Sequence, residues 1–306
     1  MLGATRSSTE KRREFRRALE SRRLLRFPGA INALSAILIE KLGFDGVYVS
    51  GAVTSASLGL PDIGLTTLSE VAARGEEIAR MTALPTFVDA DTGFGEPMNV
   101  ARAVRTLEDA GVAGLHIEDQ VNPKRCGHLD GKEVVATTEM VRRVAAAVGA
   151  RRDPDLIVCA RTDARAVEGL DAAIERAKAY VDAGAEMIFP EALANEHEFE
   201  AFRGAIDVPI LANMTEFGVS KLLDVTTLAG LGVNVVIYPV TLLRIAMGAI
   251  ERALSHIDAE GTQIGLVSEM QTRSRLYELV DYAGCNTFDA GISSNNIAEK
   301  RKDRDA

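Results

Sequence analysis

The segment Pro123-Lys124-Arg125-Cys126-Gly127-His128 has the side chains best suited to reaction chemistry in this 306-residue chain. The Cys126 thiol stands among cationic side chains, and positive potential lowers a thiol pKa. We therefore expect Cys126, with Lys124 and His128, to serve in proton transfer or nucleophilic attack. Gly127 lacks a Cβ, which lets the loop backbone approach a substrate closely. The alternative is an exposed basic loop with an incidental cysteine.

A pair of carboxylates, Asp89 and Asp91, follows an apolar run two residues apart. Hard oxygen ligands suit Mg²⁺ or Mn²⁺, which keep several waters and take one or two protein carboxylates. Glu118 follows the next apolar run and can join the ion directly or through water. The alternative is that Asp91 caps the following helix. Zinc is disfavoured because the four histidines show no ligand spacing.

Three arginines stand in apolar or mixed surroundings, namely Arg161, Arg244 and Arg273. An arginine fork binds a carboxylate through two parallel hydrogen bonds. Several such forks around a metal cation indicate a small substrate with more than one carboxylate. Each arginine taken singly is also compatible with a surface ion pair.

Short apolar segments recur along the chain and must position these side chains. Eight of them are predicted strands: Leu24–Phe27, Gly46–Ser50, Thr86–Asp89, Gly114–Glu118, Leu156–Arg161, Met187–Glu191, Ile210–Ala212 and Val235–Tyr238. Runs without polar alternation are typical of parallel strands buried on both faces. The segments between them have helical spacing, and many end at a glycine: Gly43, Gly111, Gly184 and Gly232. The pattern predicts an α/β fold, a (β/α)8 barrel of the TIM type.

Most predicted strands end in polar groups. These groups are Ser50-Gly51, Asp89-Ala90-Asp91, Glu118-Asp119, Arg161-Thr162-Asp163, Glu191, Asn213-Met214-Thr215 and Tyr238. Barrel enzymes carry their chemistry at the carboxyl ends of the strands, so the site is predicted there. A doubly wound sheet is disfavoured because the chain has neither a G-x-G-x-x-G turn nor a phosphate-binding loop, which also argues against the usual nucleotide sites.

Composition divides the chain into four predicted regions. We expect a basic helical arm over 1–23, the barrel over 24–250, a C-terminal helical extension over 251–290 and a disordered polar tail over 291–306. Residues 1–26 hold nine basic groups against three acidic ones, and a solvated amphipathic helix is expected there. Within the extension, helical spacing runs through Ser268–Tyr282.

Charge and cysteine content exclude several classes of protein. The net charge is −9, and an acidic body disfavours nucleic-acid partners. No apolar stretch of the length of a membrane span or secretory signal is found, so no membrane association is expected. The three cysteines form no C-x-x-C pair, which favours the reducing cytoplasm over a disulfide framework.

The segment Lys124-Arg125-Cys126-Gly127-His128 resembles the K-[KR]-C-G-H signature of the isocitrate lyase and phosphoenolpyruvate mutase superfamily. Within that superfamily the chain is most similar to the methylisocitrate lyase family, from about Phe27 to Tyr282. The other segments that carry the resemblance are Ser50-Gly51, Leu58-Gly59-Leu60-Pro61-Asp62, Asp89-Ala90-Asp91-Thr92-Gly93, Phe189-Pro190-Glu191, Asn213-Met214-Thr215 and Met270-Gln271-Thr272-Arg273. Arginine before the cysteine is typical of methylisocitrate lyases, whereas isocitrate lyases usually have lysine there and are longer.

The resemblance implies a Mg²⁺-dependent lyase that cleaves 2-methylisocitrate into pyruvate and succinate. It also implies a homotetramer in which the C-terminal helical extension is swapped between subunits. By resemblance, Asp89 and Asp91 anchor the metal with Glu118 in its outer shell, and Cys126 protonates the carbanion. The residues implied to hold the substrate are Ser50, Gly51 and Ala52 for the keto acid, with Asp62 near by, and Arg161, Glu191, Asn213, Thr215, Arg244 and Arg273 for the carboxylates and hydroxyl. Many relatives read S-G-G-G where this chain has Ser50-Gly51-Ala52-Val53, which adds side chains where contacts between substrate and backbone are expected.

Three other functions remain open. A lyase acting on 2,3-dimethylmalate or isocitrate would use the same residues on another acid. A phosphonate mutase or hydrolase of the same superfamily would not need the cysteine. A non-catalytic barrel would bind Mg²⁺ and a dicarboxylate without turnover, although its motifs would be expected to have degraded.

Overall fold

The computed structural model describes residues 3–129 and 131–294. Within them lie eight strands: β1 Leu25–Pro28, β2 Val47–Val49, β3 Thr86–Asp89, β4 Gly114–Glu118, β5 Ile157–Thr162, β6 Met187–Pro190, β7 Leu211–Asn213 and β8 Val235–Tyr238. The predicted strands are confirmed: β3, β4 and β8 have the predicted bounds, β6 ends one residue earlier, and β1, β2, β5 and β7 differ by one residue at both ends.

The strands form two parallel sheets, ordered β2-β3-β4-β5-β6 and β1-β8-β7. Single parallel bridges, Gly29 with Tyr48 and Ile188 with Ile210, link the edges of the two sheets. The predicted α/β fold with parallel strands is thus confirmed in a TIM-barrel-like arrangement. Since parallel strands point the same way, their carboxyl ends gather on one side.

Helices alternate with the strands. They are α1 Ser8–Glu20, α2 Ala33–Lys41, α3 Gly51–Ser57, α4 Leu68–Ala79, α5 Pro97–Asp109, α6 Thr137–Ala150, α7 Ala164–Val167, α8 Leu170–Asp182, α9 Glu196–Ala205, α10 Val225–Gly230 and α11 Thr241–Glu260. The four glycines expected to follow helix ends have left-handed backbone, with φ between +76° and +104°.

Aromatic and aliphatic side chains from several strands fill the interior. Phe27, Phe87 and Phe189 belong to this inner cluster together with Cys159, which is fully buried. A larger apolar cluster includes the outward faces of the strands and the helices packed on them. The strands are therefore buried on both faces, which explains their unbroken apolar sequence.

The basic arm is not the solvated helix that its composition predicts. Helix α1 buries Phe15 and Leu19 in the inner cluster. Two of its cations are buried as well: Lys11 Nζ donates to the Ala79 carbonyl at 2.6 Å, and Arg12 Nε donates to the Val112 carbonyl at 2.9 Å. Ala79 ends α4 and Val112 lies just before β4, so these two positive charges serve backbone hydrogen bonds, whereas Arg13 and Arg17 are exposed.

Truncating Phe15 to alanine is expected to destabilise the fold by about 3–5 kcal/mol, the usual range for a buried phenylalanine. The ring is 1% exposed and its centroid lies 5.2 Å from that of Phe27. Equilibrium denaturation measures the loss. Met98→Ala, at a side chain that is 79% exposed, is the control and should change stability by less than about 0.5 kcal/mol. Equal effects of the two substitutions would contradict the burial of α1.

The structure divides into a compact unit spanning Ala4–Gly248 and a second one that begins at Ala249. The second unit contains the end of α11, a 3-10 helix over Ile264–Glu269, α12 Arg273–Leu279 and α13 Tyr282–Ser294. The continuous helix predicted over Ser268–Tyr282 is wrong, because Met270 is extended and Thr272 caps a new helix by accepting from Arg275 N at 3.2 Å.

The polar tail expected over 291–306 is helical at its beginning, since 291–294 belong to α13. Residues 295–306 lie outside the described residues. Among the described helices, none combines the length and the hydropathy that a bilayer span requires.

Candidate active site

The carboxyl ends of the strands surround a cavity of about 80 Å³ in the unit Ala4–Gly248. It brings together most of the side chains that the sequence singles out. The predicted residues that line it are Ser50, Ala52, Asp62, Asp89, Lys124, Cys126, Gly127, His128, Arg161, Glu191, Asn213, Thr215 and Arg244. Gly51, Asp91 and Glu118 adjoin it through contacts with Asp89, Lys124 and Arg161, respectively.

Arg273 is the predicted site residue that this cavity does not include. It is exposed and begins α12 in the second unit. Its part in substrate binding therefore stays a prediction that rests on the family resemblance.

Apolar and aromatic lining residues were missed by the sequence reasoning. Tyr48, Phe189, Ile237, Pro239 and Val240 all face the cavity. Tyr48 and Phe189 lie inside predicted strands, where an aromatic side chain is indistinguishable from ordinary core. The one sequence feature that could have identified them is their position close to the polar residues at the strand ends.

The first turn of α3 meets the aspartate pair directly. Ser50 caps this helix, and Gly51 N donates to Asp89 Oδ2 at 3.2 Å. A Cβ placed on Gly51 would lie 2.8 Å from the same oxygen, so only glycine fits without a shift of Asp89. The neighbouring Ala52 lines the cavity.

Asp91 does not cap the helix that follows it, so that alternative interpretation is wrong. The N-cap of α5 is Glu96, and Asp91 instead has a left-handed backbone with φ +46°. Its carboxylate turns inward, where Oδ1 lies 2.9 Å from Lys124 Nζ, and its N–H donates to Asp89 Oδ1 at 3.0 Å. Lys124 also pairs with Asp62, so one buried cation joins two carboxylates.

Three buried carboxylates near this point carry more negative charge than a protein core readily holds. Burial raises the pKa of Glu118 and of Asp91. Burial alone would also raise the pKa of Asp89, but His116 and Lys124 outweigh it and hold this pKa low. Glu118 Oε1 is buried and accepts no hydrogen bond. Such an unsatisfied oxygen beside Asp89 and Asp91 suits a hard cation or its bound water.

Among the described residues, no group of three or more His, Cys, Asp or Glu side chains converges as a ready-made metal cage. Asp89 and Asp91 offer carboxylate oxygens, and Mg²⁺ commonly binds through one or two carboxylates and keeps several waters.

Arg161, at the end of β5, holds three buried carboxylates together. It donates from Nε and Nη2 to Asp163 at 2.9 and 3.1 Å, and its Nη1 lies 3.2 Å from Glu118 and 3.3 Å from Glu191. The guanidinium also stacks over the Phe189 ring at 5.2 Å. Burial alone would raise the pKa of Glu191, but Arg161 and a hydrogen bond from His128 hold it well below its ordinary value.

The Cys126 loop closes over this arginine. Gln120 fastens its base, since Oε1 accepts from Arg125 N and Nε2 donates to the Arg125 carbonyl, both at 2.9 Å. A Cβ on Gly127 would stand 2.4 Å from Arg161 Nη2 and 2.5 Å from Glu191 Cγ. Gly127 therefore permits the close backbone approach that the sequence predicts, and it brings Cys126 to the cavity.

His128 is oriented by partners on both ring nitrogens. Val219 N donates to Nδ1 at 3.2 Å, which leaves Nε2 to donate to Glu191 Oε1 at 3.0 Å. Asn213 Nδ2 reaches Glu191 at 3.3 Å. Histidine, glutamate and asparagine thus form one polar wall of the cavity.

Arg244 stands at the mouth of the cavity. Its Nη1 donates to Thr215 Oγ1 at 3.4 Å and to the Glu216 carbonyl at 2.6 Å, and its guanidinium covers the Phe217 ring at 5.3 Å. Its side chain is 41% exposed, whereas that of Arg161 is 8% exposed. The two arginines therefore place one cation deep in the cavity and one at its entrance.

The thiol pKa departs from the sequence prediction. Burial raises the pKa of Cys126, and the Asp62 and Glu191 carboxylates raise it further. The cations that the sequence places beside it are otherwise engaged, Lys124 with carboxylates and Arg125 with the Gly131 carbonyl. At neutral pH the group is thus a protonated thiol, which suits a proton donor better than a nucleophile.

The alkylation of Cys126 by iodoacetamide is expected to accelerate with pH around a midpoint above that of a free cysteine, about 8.5. Burial favours the neutral thiol, so the reactive thiolate forms only at higher pH. Mass spectrometry of Cys285→Ser protein follows the reaction, since Cys159 is fully buried. A midpoint below 8.5 would instead support the activated thiolate predicted from the sequence.

The comparisons agree with this geometry. A sequence profile of the phosphoenolpyruvate phosphomutase family matches residues 15–258. A Corynebacterium glutamicum protein named probable 2-methylisocitrate lyase 2 is 63% identical over 284 residues, which cover 93% of this chain and 92% of that protein.

Solved structures have the same fold. A crystal structure of 2,3-dimethylmalate lyase superposes with a TM-score of 0.86 at 34% identity, covering 94% of this chain and 96% of that one. A phosphonopyruvate hydrolase in complex with oxalate and Mg²⁺ gives a TM-score of 0.83 at 30% identity, with 92% and 98% covered. The chain therefore belongs to the phosphoenolpyruvate phosphomutase family, and its sequence groups it with the 2-methylisocitrate lyases of that family.

Proposed function

We propose that this protein is a Mg²⁺-dependent lyase that cleaves 2-methylisocitrate into pyruvate and succinate. The observation that carries the proposal is that Cys126 lines the same cavity as Asp89 and Arg161, and burial, which raises the pKa of the thiol, favours its protonated form. A proton donor, a carboxylate pair and a buried arginine are the groups needed to break a carbon–carbon bond in a polycarboxylate. The similar protein of Corynebacterium glutamicum is named for this activity.

Asp89 and Asp91 would hold the Mg²⁺ ion, with Glu118 reaching it through water. The unsatisfied Glu118 oxygen and the hard-oxygen donor set support this assignment. When bound, Mg²⁺ supplies Lewis acidity toward the hydroxyl and carboxylate oxygens of the substrate. The solved phosphonopyruvate hydrolase contains Mg²⁺ with oxalate, a dicarboxylate.

The protein's own residues account for binding and for one proton transfer. Arg161 and Arg244 receive carboxylates of a small di- or tricarboxylate, and Asn213 and Thr215 supply hydrogen bonds. As a general base takes the proton of the substrate hydroxyl, the electron pair of that O–H bond forms the keto group of pyruvate and the carbon–carbon bond breaks. The electron pair stays on the succinate fragment, which takes the proton of the Cys126 thiol and leaves a thiolate. Arg161 opposes the charge of that fragment.

Product analysis tests the substrate. The purified protein is incubated with Mg²⁺ and, in separate reactions, with 2-methylisocitrate, isocitrate and 2,3-dimethylmalate. Pyruvate with succinate from the first acid alone would establish the proposal. Glyoxylate would indicate an isocitrate lyase, and propionate a dimethylmalate lyase, the activity named for a solved structure of the same fold. No products from any of the three would contradict all the lyase assignments.

Asp89→Asn is expected to weaken Mg²⁺ binding by at least about 100-fold, because it removes a charged ligand. Isothermal titration calorimetry measures the affinity without turnover. Asp224→Asn, at the exposed cap of α10, is the matched control and should leave the affinity unchanged. Equal affinity of the Asp89→Asn variant and the wild type would place the ion elsewhere.

As part of the same proposal, the protein forms a homotetramer and is located in the cytoplasm. Supporting the former, the second unit presents several apolar side chains, among them Leu254, Ile264 and Val267, each at least 60% exposed. Light scattering on the eluted protein should give four times the 32.8 kDa chain mass. A monomeric mass would overturn the assembly.

A further inference from the structure

Lys132, outside the recognised motif, is bound to the Cys126 loop and to a strand end at once. Its Nζ donates to the Gly127 carbonyl and lies 3.4 Å from Asp163 Oδ1. Its side chain is 3% exposed, and a lysine is rarely buried unless its ammonium group is paired. The ammonium group therefore ties the backbone beside the reactive thiol to the end of β5.

Asp163 is shared between this lysine and the deepest arginine of the cavity. The carboxylate is fully buried and accepts two hydrogen bonds from Arg161. Two further hydrogen bonds hold Asp163 in place. Asp163 N donates to Asp119 Oδ1 at 2.9 Å, and Asp119 Oδ2 accepts from the Tyr180 hydroxyl at 2.8 Å. One immobile carboxylate thus holds both Lys132 and Arg161.

The Cys126 loop is closely packed at Gly127, which restricts its position. The Cα of Gly127 packs so closely on Arg161 and Glu191 that a single added carbon would collide with both. A loop in this register has Cys126 and His128 facing the cavity, whereas a displaced loop would carry both away. Something must therefore hold the Gly127 carbonyl, and among the described residues Lys132 does so.

We propose that Lys132 is a positioning residue, which fastens the Cys126 loop to the Asp163–Arg161 pair and so places the thiol for proton transfer. The kinetic part of this inference rests on the proposed lyase function. The structural part does not, because the fastening involves only residues of this chain.

Alkylation of Cys126 tests the fastening without any turnover. In the Cys285→Ser background, Lys132→Met is expected to make iodoacetamide react with Cys126 about tenfold faster at constant pH, because the loop opens locally. Loss of a nearby cation alone would raise the thiol pKa and slow the reaction, so acceleration reports exposure. Lys178→Met, at an exposed lysine of α8, is the matched control and should react like the parent protein.

Kinetics supply the second readout. Lys132→Met should lower kcat by about 10- to 100-fold, since a thiol displaced by about 1 Å loses its geometry. KM should change by less than about threefold, because the carboxylate-binding arginines remain. Lys132→Arg should recover part of kcat, which a purely steric role would not allow.

The outcomes separate the two proposals. Unchanged alkylation and unchanged kcat in folded Lys132→Met protein would overturn the positioning role. If the wild type cleaves none of the three acids, the lyase assignment fails and the alkylation result alone decides on Lys132. Should Lys132→Met not fold, Lys132→Gln undergoes the alkylation test instead: its side chain is uncharged and one atom shorter, so it loses the ion pair with Asp163 and should react faster than the parent protein, and a rate equal to that of the parent would overturn the positioning role.

Discussion

Cys126→Ser protein is expected to lose about 10²- to 10⁴-fold in kcat, the usual contribution of a general acid. A serine hydroxyl is a far weaker acid than a thiol, so it cannot protonate the carbanion at a useful rate. The change removes little volume from a side chain that lines the cavity beside Gly127 and His128. Substrate binding should therefore persist while the chemical step fails.

Steady-state kinetics and calorimetry separate these two effects. Mg²⁺ affinity and the binding of succinate should match the wild type within about threefold, because the carboxylate ligands are intact. Cys159→Ser is a poor control, since that residue is buried in the core, whereas Cys285→Ser lies in the second unit and should keep full activity. Near-normal turnover in Cys126→Ser would remove the thiol from the mechanism.

Arg161→Met is expected to abolish measurable activity and to destabilise the metal-free protein by about 3–5 kcal/mol, since it leaves buried carboxylates without their cation. Arg161 contacts Glu118, Asp163 and Glu191, whose side chains are at most 1% exposed. Methionine retains most of the volume and the contact with Phe189, so the loss reports charge rather than packing.

The loss of stability in the Arg161→Met protein should increase with pH. In the wild type the Glu191 pKa lies below its unfolded value, so its stabilisation is present above that value and is lost as pH falls through the folded pKa. Without Arg161 the Glu191 pKa rises, and that of Glu118, already raised by burial, rises further. Ionising both then opposes folding above their unfolded pKa of about 4.3.

Urea denaturation at pH 5 and pH 8 measures this deficit, which should be larger at pH 8. Arg80→Met, at an exposed arginine paired with Glu76, should lose less than about 1 kcal/mol at both values. An Arg161→Met protein as stable as the wild type at pH 8 would contradict the claim that Arg161 compensates the charge of these buried carboxylates.

Much of the fold was predictable because periodicity and helix termination are local properties. Gly114–Glu118 and Val235–Tyr238 are strands with the predicted bounds, since unbroken apolar runs have no other favourable place than a sheet buried on both sides. The cavity followed from the same reasoning, because parallel strands carry their terminal polar residues to one end. Gly127 was predictable too, as close backbone approach requires the absence of a Cβ.

The environment of each group depended on tertiary structure. Adjacent cations in the sequence predicted a low thiol pKa for Cys126, but in the fold Lys124 faces carboxylates from other strands and burial prevails. The basic arm looked solvated because helical spacing does not reveal that distant backbone carbonyls will accept from Lys11 and Arg12. Electrostatic energy depends on distance and burial in space, which sequence separation does not encode.

By itself, the sequence determined the parallel α/β architecture, the end of the strands at which the chemistry lies, and most of the residues that meet there. Only the tertiary structure decided that Cys126 stays protonated, that Arg161 binds three buried carboxylates, and that Lys132 reaches the loop beside the thiol. The physical reason is that hydrophobic periodicity is a local property of the sequence. Hydrogen bonds and desolvation instead depend on residues that are distant in the sequence and meet only in the folded protein.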